Sequence, residues 1–298
     1  MKIEKLFSVK GKVAVVSGGS RGIGEMITSA YLANGAKVYI TARKTEACNA
    51  KAKELSDKYN AQCLSIPSDL SSLEGIEKFV SEIESCEEKI DILVNNAGAA
   101  WAEPLDNFTE RGWDKVMNLN VKSVFFSTQK FLPLLKKAAT KENPSRVINI
   151  GSIDGIGTPV LETYPYSASK ASVHHMTRVL AARLVKEDIL VNAIAPGPFP
   201  TKGAWERLAP GDTSKGMMES IPMKRTGELD ELANLAAFLM ADGCDYLTGE
   251  IVTIDGGQWL NHAGNFYDML KNVSDDEWEQ LRNMIKSSNE SDKAKRSV

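Results

Sequence analysis

Two hydrophobic rhythms alternate along the chain. Short runs dense in β-branched residues recur as KVAVVS (12–17), AKVYIT (36–41), QCLSI (62–66), DILVNN (91–96), RVINIGS (146–152), ILVNAIA (189–195) and EIVTID (250–255). Apolar runs of this length predict strands buried on both faces. Between them apolar residues fall three and four apart, as in Ile76, Phe79, Val80 and Ile83 or Leu232, Leu235, Ala236 and Leu239. That is the stripe of a helix laid on a sheet. Strands alternating with helices predict a single α/β domain, a doubly wound, seven-stranded parallel sheet with right-handed crossovers.

Two stretches break the rhythm. Residues 196–222, rich in Pro and Gly, are too long for an ordinary connection and read as a substrate lid. Beyond residue 260 the chain turns polar. There SDDEWEQLRNMIK sets Ser274 and Glu277 in capping-box positions and spaces Trp278, Leu281 and Ile285 three and four apart. A short amphipathic helix is expected over about 274–286, with Ser287 to Val298 polar enough to be mobile. The expected organisation is a domain over residues 1–260 and an extension over 261–298.

Composition narrows the class. A chain of 298 residues that is 43% apolar can bury a substantial core. The net charge of −3 is scattered, which leaves no basic stripe for nucleic acid. Cys48, Cys63, Cys86 and Cys244 lie far apart and only three histidines accompany them, so no metal site is expected and the thiols are expected to be reduced. The N-terminal segment lacks the apolar core of a leader, and no run approaches about 18 apolar residues, so a cytoplasmic protein without a membrane segment is expected.

The first chemical signal is SGGSRGIG, Ser17 to Gly24, set between a strand and a helical pattern. Glycines there let backbone amides approach a pyrophosphate at the helix N-terminus, as in a Rossmann-type domain. The spacing through Gly18, Gly22 and Gly24 is G-x-x-x-G-x-G, not the G-x-G-x-x-G fingerprint, and such a turn can also serve packing alone. It is followed in order by NNAG (95–98), YSASK (166–170) and APGP (195–198). With these four motifs the chain resembles the short-chain dehydrogenase/reductase family over residues 11–260. Within that family it is most similar to the 3-oxoacyl reductases, especially the rhamnolipid-biosynthesis type, through GGSRGIG, DILVNNAG, RVINIGS, IPM and IDGG. Ser17 stands where the family usually has Thr, and keeps the hydroxyl.

The resemblance implies cofactor contacts from Gly18, Ser20, Arg21, Gly22, Ile23 and Gly24, from Asp69 and Leu70, from Asn96, Ala97 and Gly98, and from Pro196 and Gly197. It also places the residue that reads the adenosine ribose at about Ala42. An NAD enzyme wants a carboxylate there. Here alanine is followed by Arg43, and Arg21 lies in the glycine turn, so two forked donors are offered to a 2′-phosphate and NADPH is the expected cofactor. Asp69 equally suits an N-cap.

In YPYSASK a helix puts residues four apart on one face, so Tyr166 neighbours Lys170 while Tyr164 faces elsewhere. A phenol has an ordinary pKa of about 10, and the Lys170 ammonium is expected to favour the phenolate. The resemblance implies that Tyr166 transfers the proton, Lys170 also holds the nicotinamide ribose, Ser152 binds the substrate carbonyl and Asn120 holds a relay water. Ser152 lies fourteen residues before Tyr166, one more than in many family members. Asn120 by itself reads as a helix-kink residue, and His174 as packed and not catalytic.

Trp101, and Trp205, Leu208, Met217 and Met218 in the lid, suit an apolar substrate, or else pin the lid to the body. Three functions follow: reduction of a 3-oxoacyl thioester on carrier protein or coenzyme A, reduction of free ketones with its reverse secondary-alcohol oxidation, or dinucleotide sensing without turnover. The resemblance also implies a homotetramer built on helices at about 109–138 and 165–186.

Overall fold

The structure, a computed structural model, describes residues 7–159, 161–201, 213–262 and 272–296. The strands are β1 Val13–Ser17, β2 Lys37–Thr41, β3 Cys63–Ser65, β4 Ile92–Asn95, β5 Ser145–Ile150, β6 Ile189–Pro196 and β7 Ile251–Ile254. The helices are α1 Gly22–Ala33, α2 Thr45–Tyr59, α3 Leu73–Glu84, α4 Glu110–Met117, α5 Ser123–Ala138, α6 Tyr164–Leu184, α7 Thr213–Ser220, α8 Leu229–Met240 and α9 Asp275–Arg296. A π-helical turn, Asn118–Lys122, joins α4 to α5. The chain divides into two compact units, Met1–Trp259 and Leu260–Val298.

In the first unit the strands form a seven-stranded sheet in the order β3-β2-β1-β4-β5-β6-β7, each pair parallel. Successive residues of a strand point to opposite faces. Val16, Ile40 and Val94 therefore meet Ile27 of α1, Leu55 of α2 and Leu239 of α8, while Val15, Tyr39 and Leu93 meet Phe79 of α3, Phe131 of α5 and Leu184 of α6. Phe79 and Phe131 pack edge to face at 5.6 Å. Burying each such side chain contributes roughly 1.5–3 kcal/mol.

A buried polar chain sets the helices against the sheet. Asn95 Nδ2 of β4 donates to Thr128 Oγ1 of α5 (3.0 Å) and to Asn149 Oδ1 of β5 (2.9 Å). Asn149 Nδ2 in turn donates to Thr177 Oγ1 of α6 at 2.9 Å. Each of these groups left unpaired in the core would cost about 1–3 kcal/mol, so the network resists slippage of α5 and α6.

From β1 the strand order runs one way to β2 and β3 and the other way to β4, so the carboxyl ends of β1 and β4 flank the switch-point crevice where ligands bind in such sheets.

Part of the expected lid is helical, α7, with Met218 half-buried. Trp205 and Leu208 lie outside the described residues, as does the Met217 side chain. In the second unit Glu277 accepts from Ser274 N at 2.8 Å and Glu277 N donates to Ser274 Oγ at 3.4 Å, a capping box. The helix then runs to Arg296, past the expected stop near residue 286, and Ser287 Oγ bonds back to Asn283 O at 2.6 Å. Polarity removes the apolar stripe from this stretch but leaves good helix formers such as Lys and Glu in place.

Candidate active site

The crevice begins where β1 and β4 end. Ser17 Oγ accepts from the N–H groups of Asn96 and Ala97, both at 2.9 Å. Asn96 Nδ2 returns hydrogen bonds to Ser17 O (2.8 Å) and Gly18 O (3.3 Å). Gly18 and Gly22 take positive φ, 65° and 57°, where a side chain is strained. At Gly24 a Cβ would sit 2.3 Å from Gly18 O. Arg21 at the N-cap of α1 gives no side-chain cap, whereas Ser72 caps α3 and Thr109 caps α4. The first turn of α1 thus lies behind a close-set glycine bend without a side chain on its amides, which fits a pyrophosphate. Ser20 and Ile23 are half-buried in this bend.

Gly98 faces Asn120, whose Oδ1 would lie 3.4 Å from a Cβ there. Pro196 ends β6 opposite Ile254, and Gly197 N donates to Ile254 O at 2.9 Å. These turns lie at the carboxyl edge of the sheet.

At the other end of the crevice Ala42 is half-buried and Arg21 and Arg43 are exposed. Neither guanidinium forms an ion pair among the described residues. Arg43 lines a polar pocket of about 370 Å³ with Ser68, Asp69 and Lys78. The N-cap of α3 is Ser72, which accepts from Gly75 N at 3.1 Å. Asp69 instead accepts from Ser71 N (3.0 Å) and Ser71 Oγ (2.8 Å). Leu70 is buried in the core, 4% exposed, so its side chain belongs to packing and only its backbone is available to a ligand.

The third group gathers on α6 and after β5. Tyr166 and Lys170 share a face, with Lys170 Nζ 5.5 Å from the phenol ring centroid. Tyr164 turns outward, stacks edge to face on Phe108 at 5.8 Å and lines an apolar groove of about 280 Å³ with Leu105 and Trp113. Lys170 is buried and donates to Ile150 O at 2.7 Å. Ser152, also buried, hydrogen-bonds the Tyr166 phenol.

Charge in this cluster differs from the expectation that Lys170 lowers the phenol. Burial pushes Tyr166 up to about 12, the Ser152 hydrogen bond pulling against it and the charge of Asp154 adding to it. Burial also pushes Lys170 down to about 8, against the attraction of Asp154. Desolvation is the largest cause and the ammonium is not among the others, so the phenol keeps its proton at neutral pH.

Asn120 sits in the π turn, 2% exposed. Its Oδ1 accepts from Ala99 N (2.8 Å), and its Nδ2 donates to Ala99 O (3.0 Å) and Ser169 Oγ (2.9 Å). The side chain is engaged in holding the loop after β4 against α6. Trp101 stands on that loop with Lys115 Nζ 4.2 Å above its ring.

Three residues enter the site that the sequence reading gave no site role. Ser17 laces β1 to β4, a role its hydroxyl at the Thr position hinted at. His174, packed as expected, accepts from Ser152 N at 3.4 Å and is hydrogen-bonded to the Gly155 backbone. Burial, with Lys170 and Arg178 adding, drives it down to about 4, so it is neutral. Asp154 donates its backbone N–H to Ser152 Oγ at 3.1 Å in the 3-10 turn after β5, and nothing in the sequence pattern marked it.

A glycine bend at the switch point of a parallel sheet, with a half-buried Tyr166 beside a buried Lys170, defines a dinucleotide-binding oxidoreductase. The profile of the family described as Enoyl-(Acyl carrier protein) reductase matches residues 18–258. The rhamnolipids biosynthesis 3-oxoacyl-[acyl-carrier-protein] reductase of Pseudomonas aeruginosa is 45% identical over 251 residues, 84% of this chain and 97% of that protein. The 3-oxoacyl-[acyl-carrier-protein] reductase FabG of Aquifex aeolicus is 33% identical over 84% of this chain and 98% of its own. The Pseudomonas aeruginosa RhlG/NADP active-site complex matches with a TM-score of 0.82 at 45% identity, covering 86% of this chain and 99% of that one. The chain belongs to the short-chain dehydrogenase/reductase family. Among the described residues no helix is long and apolar enough to cross a membrane, and no group of three or more His, Cys, Asp or Glu is set to hold a metal.

Proposed function

We propose that the chain is an NADPH-dependent reductase that converts a 3-oxoacyl thioester, on carrier protein or coenzyme A, to the 3-hydroxyacyl product. The observation that carries the chemistry is the gathering of buried Ser152 and Lys170 around the Tyr166 phenol, with Lys170 Nζ 5.5 Å from the ring centroid. Support for the substrate comes from the 45% identical Pseudomonas aeruginosa reductase. Support for NADPH comes from that organism's RhlG/NADP complex and from Arg21 and Arg43, which stand exposed with no carboxylate at Ala42.

When bound, the reduced nicotinamide supplies the hydride to the carbonyl carbon. Ser152 and Tyr166 hydrogen-bond the carbonyl oxygen, stabilising the charge that develops there. Tyr166 then gives its proton to that oxygen as general acid. Lys170, one helical turn on, stabilises the phenolate left behind. The glycine bend and the first turn of α1 hold the pyrophosphate, and Arg21 and Arg43 hold the 2′-phosphate. Because the Asn120 amide is occupied by Ala99 and Ser169, its part in proton relay falls to its main-chain carbonyl, in a π turn where the regular helix ladder is broken.

Residues 196–222 serve as the substrate lid and 261–298 as an extension of the catalytic domain. The enzyme acts in the cytoplasm as a homotetramer through α4, α5 and α6, a reading supported by Phe125 and Val179, apolar yet 40% and 55% exposed on two of these helices. Sedimentation at micromolar concentration tests the assembly, and a monomer would contradict it.

NADPH oxidation measured with an acetoacetyl thioester, an enoyl thioester and a panel of free ketones tests the reaction. The oxoacyl thioester is expected to give the highest kcat/KM. A preference for the enoyl thioester or for ketones would overturn the substrate, and no oxidation with any of them would overturn the reaction.

A further inference from the structure

We propose that His174 is a positioning residue: its imidazole holds the bend that carries Ser152, so that the Ser152 hydroxyl stays aimed at the substrate carbonyl. The inference rests on the reductase reading above and adds to it a residue outside the Asn120, Ser152, Tyr166 and Lys170 set.

The end of β5 is held residue by residue. Ile150 O accepts from Lys170 Nζ at 2.7 Å, Gly151 N donates to Ile194 O at 2.7 Å, and Ser152 N donates to His174 Nε2 at 3.4 Å. No other acceptor takes the Ser152 N–H among the described residues. Past Ser152 the chain makes one 3-10 turn, Ile153–Gly155, closed by Gly155 N donating to Ser152 O at 3.0 Å. The imidazole is also hydrogen-bonded to the Gly155 backbone. One ring thus ties both ends of the bend, and because Nε2 accepts, the proton of the neutral ring is on Nδ1.

Two glycines make room for the ring. A Cβ on Gly151 would run into His174 Nε2, and one on Gly155 would lie 2.9 Å from His174 Cε1. Neither glycine takes a positive φ, so a side chain there would be refused by the imidazole and its helix and not by the backbone angles. His174 is 4% exposed and stands one helical turn beyond Lys170, so the bend is locked from the same helix that carries Tyr166 and Lys170. The Ser152 hydroxyl rides on this bend: its Oγ accepts from Asp154 N at 3.1 Å inside the turn and hydrogen-bonds the Tyr166 phenol. Without the ring the buried Ser152 N–H loses its acceptor, and the bend must shift to find another. The imidazole therefore acts on the substrate carbonyl only through Ser152.

A double-mutant cycle on the full chain tests this. His174→Leu removes the acceptor at similar volume, and His174→Gln returns an acceptor oxygen near the place of Nε2. For wild type, both variants, Ser152→Ala and Ser152→Ala with His174→Leu, kcat and KM are measured for NADPH-dependent reduction of the acetoacetyl thioester, and NADPH affinity through the nucleotide fluorescence. His174→Leu is expected to lower kcat about tenfold with NADPH affinity within about twofold of wild type, and His174→Gln to recover most of that loss. In the Ser152→Ala background His174→Leu should cause no further loss, because its effect passes through that hydroxyl. A wild-type kcat in His174→Leu, no recovery in His174→Gln, or the same loss in the absence of the Ser152 hydroxyl would each overturn the proposal. Where the leucine variant does not fold, His174→Asn, too short to reach Ser152 N, takes its place in the cycle. Absence of thioester reduction by wild type would instead overturn the reductase reading. Hydrogen exchange of the Ser152 amide in cofactor-free protein then still decides the role of His174: exchange is expected to be about tenfold or more faster in His174→Leu and near wild type in His174→Gln, and an unchanged rate in His174→Leu would overturn it.

Discussion

The two ends of the crevice are built on opposite terms. Around Tyr166 the groups are withdrawn from water and tied to fixed partners: Lys170 to Ile150 O, Asn120 to Ala99 and Ser169, His174 to Ser152. Around Arg43 the charges stand exposed and without ion pairs among the described residues, over a polar pocket. A proton-transfer site needs its electrostatics set before substrate arrives, because each dipole already in place need not reorganise during the step. A recognition site for a charged phosphate gains from the reverse, since a guanidinium already neutralised by a carboxylate has less to offer. The contrast teaches that turnover and cofactor choice are separable in this molecule.

The strongest way to break the comparison is at the buried end. Tyr166→Phe removes the transferable proton and should reduce turnover by orders of magnitude, whereas Tyr164→Phe, altered on the groove side of the same helix, should change it little. Steady-state kinetics on the two variants decide this, and a dead Tyr164 variant would reverse the assignment. Next in size is the backbone between the ends. Gly24→Ala drives a Cβ toward Gly18 O, 2.3 Å away, and should raise the KM for NADPH about tenfold or more by displacing the bend.

At the exposed end, Ala42→Asp combined with Arg43→Ser should move preference from NADPH toward NADH, because a carboxylate repels a 2′-phosphate and accepts from a free 2′-hydroxyl. Unchanged kinetics with both cofactors would displace the ribose pocket from this loop. A smaller effect sharpens the buried end. Since burial brings Lys170 down to about 8, kcat/KM for reduction should fall as pH rises through about 8, where Lys170 loses its proton. A profile flat across that pH would show that its charge is not needed. Smallest of all, deleting residues 289–298 should leave melting temperature and turnover unchanged.

The sheet was legible because its strands are buried on both faces and so read as unbroken apolar runs. All of the expected strand segments are strands, within a residue or a few at each end. The pairing of Tyr166 with Lys170 was equally legible, since it needs only helical spacing. What escaped the sequence depends on where a turn lands. Gly155 meets the backbone of α6 at Lys170 because a 3-10 turn folds back onto that helix, and no periodicity encodes that approach. The direction of the Tyr166 shift escaped for a related reason: the ammonium was visible in the sequence but the depth of burial, the largest cause of the shift, was not. Leu70 stood in a motif that suggested a ligand contact, and its side chain fills the core with α3, which leaves the backbone for such a contact. The tail helix outran its apolar stripe because helix propensity persists after amphipathicity ends.

The central claim, that chemistry and cofactor choice sit at separate ends, is tested most directly by titrating NADPH and NADH, through the nucleotide fluorescence, into wild type, Tyr166→Phe and Arg43→Ala. Tyr166→Phe should bind both nucleotides within about threefold of wild type, whereas Arg43→Ala should lose about tenfold for NADPH and little for NADH. Equal weakening of both nucleotides in Tyr166→Phe, or equal weakening of both in Arg43→Ala, would contradict the account.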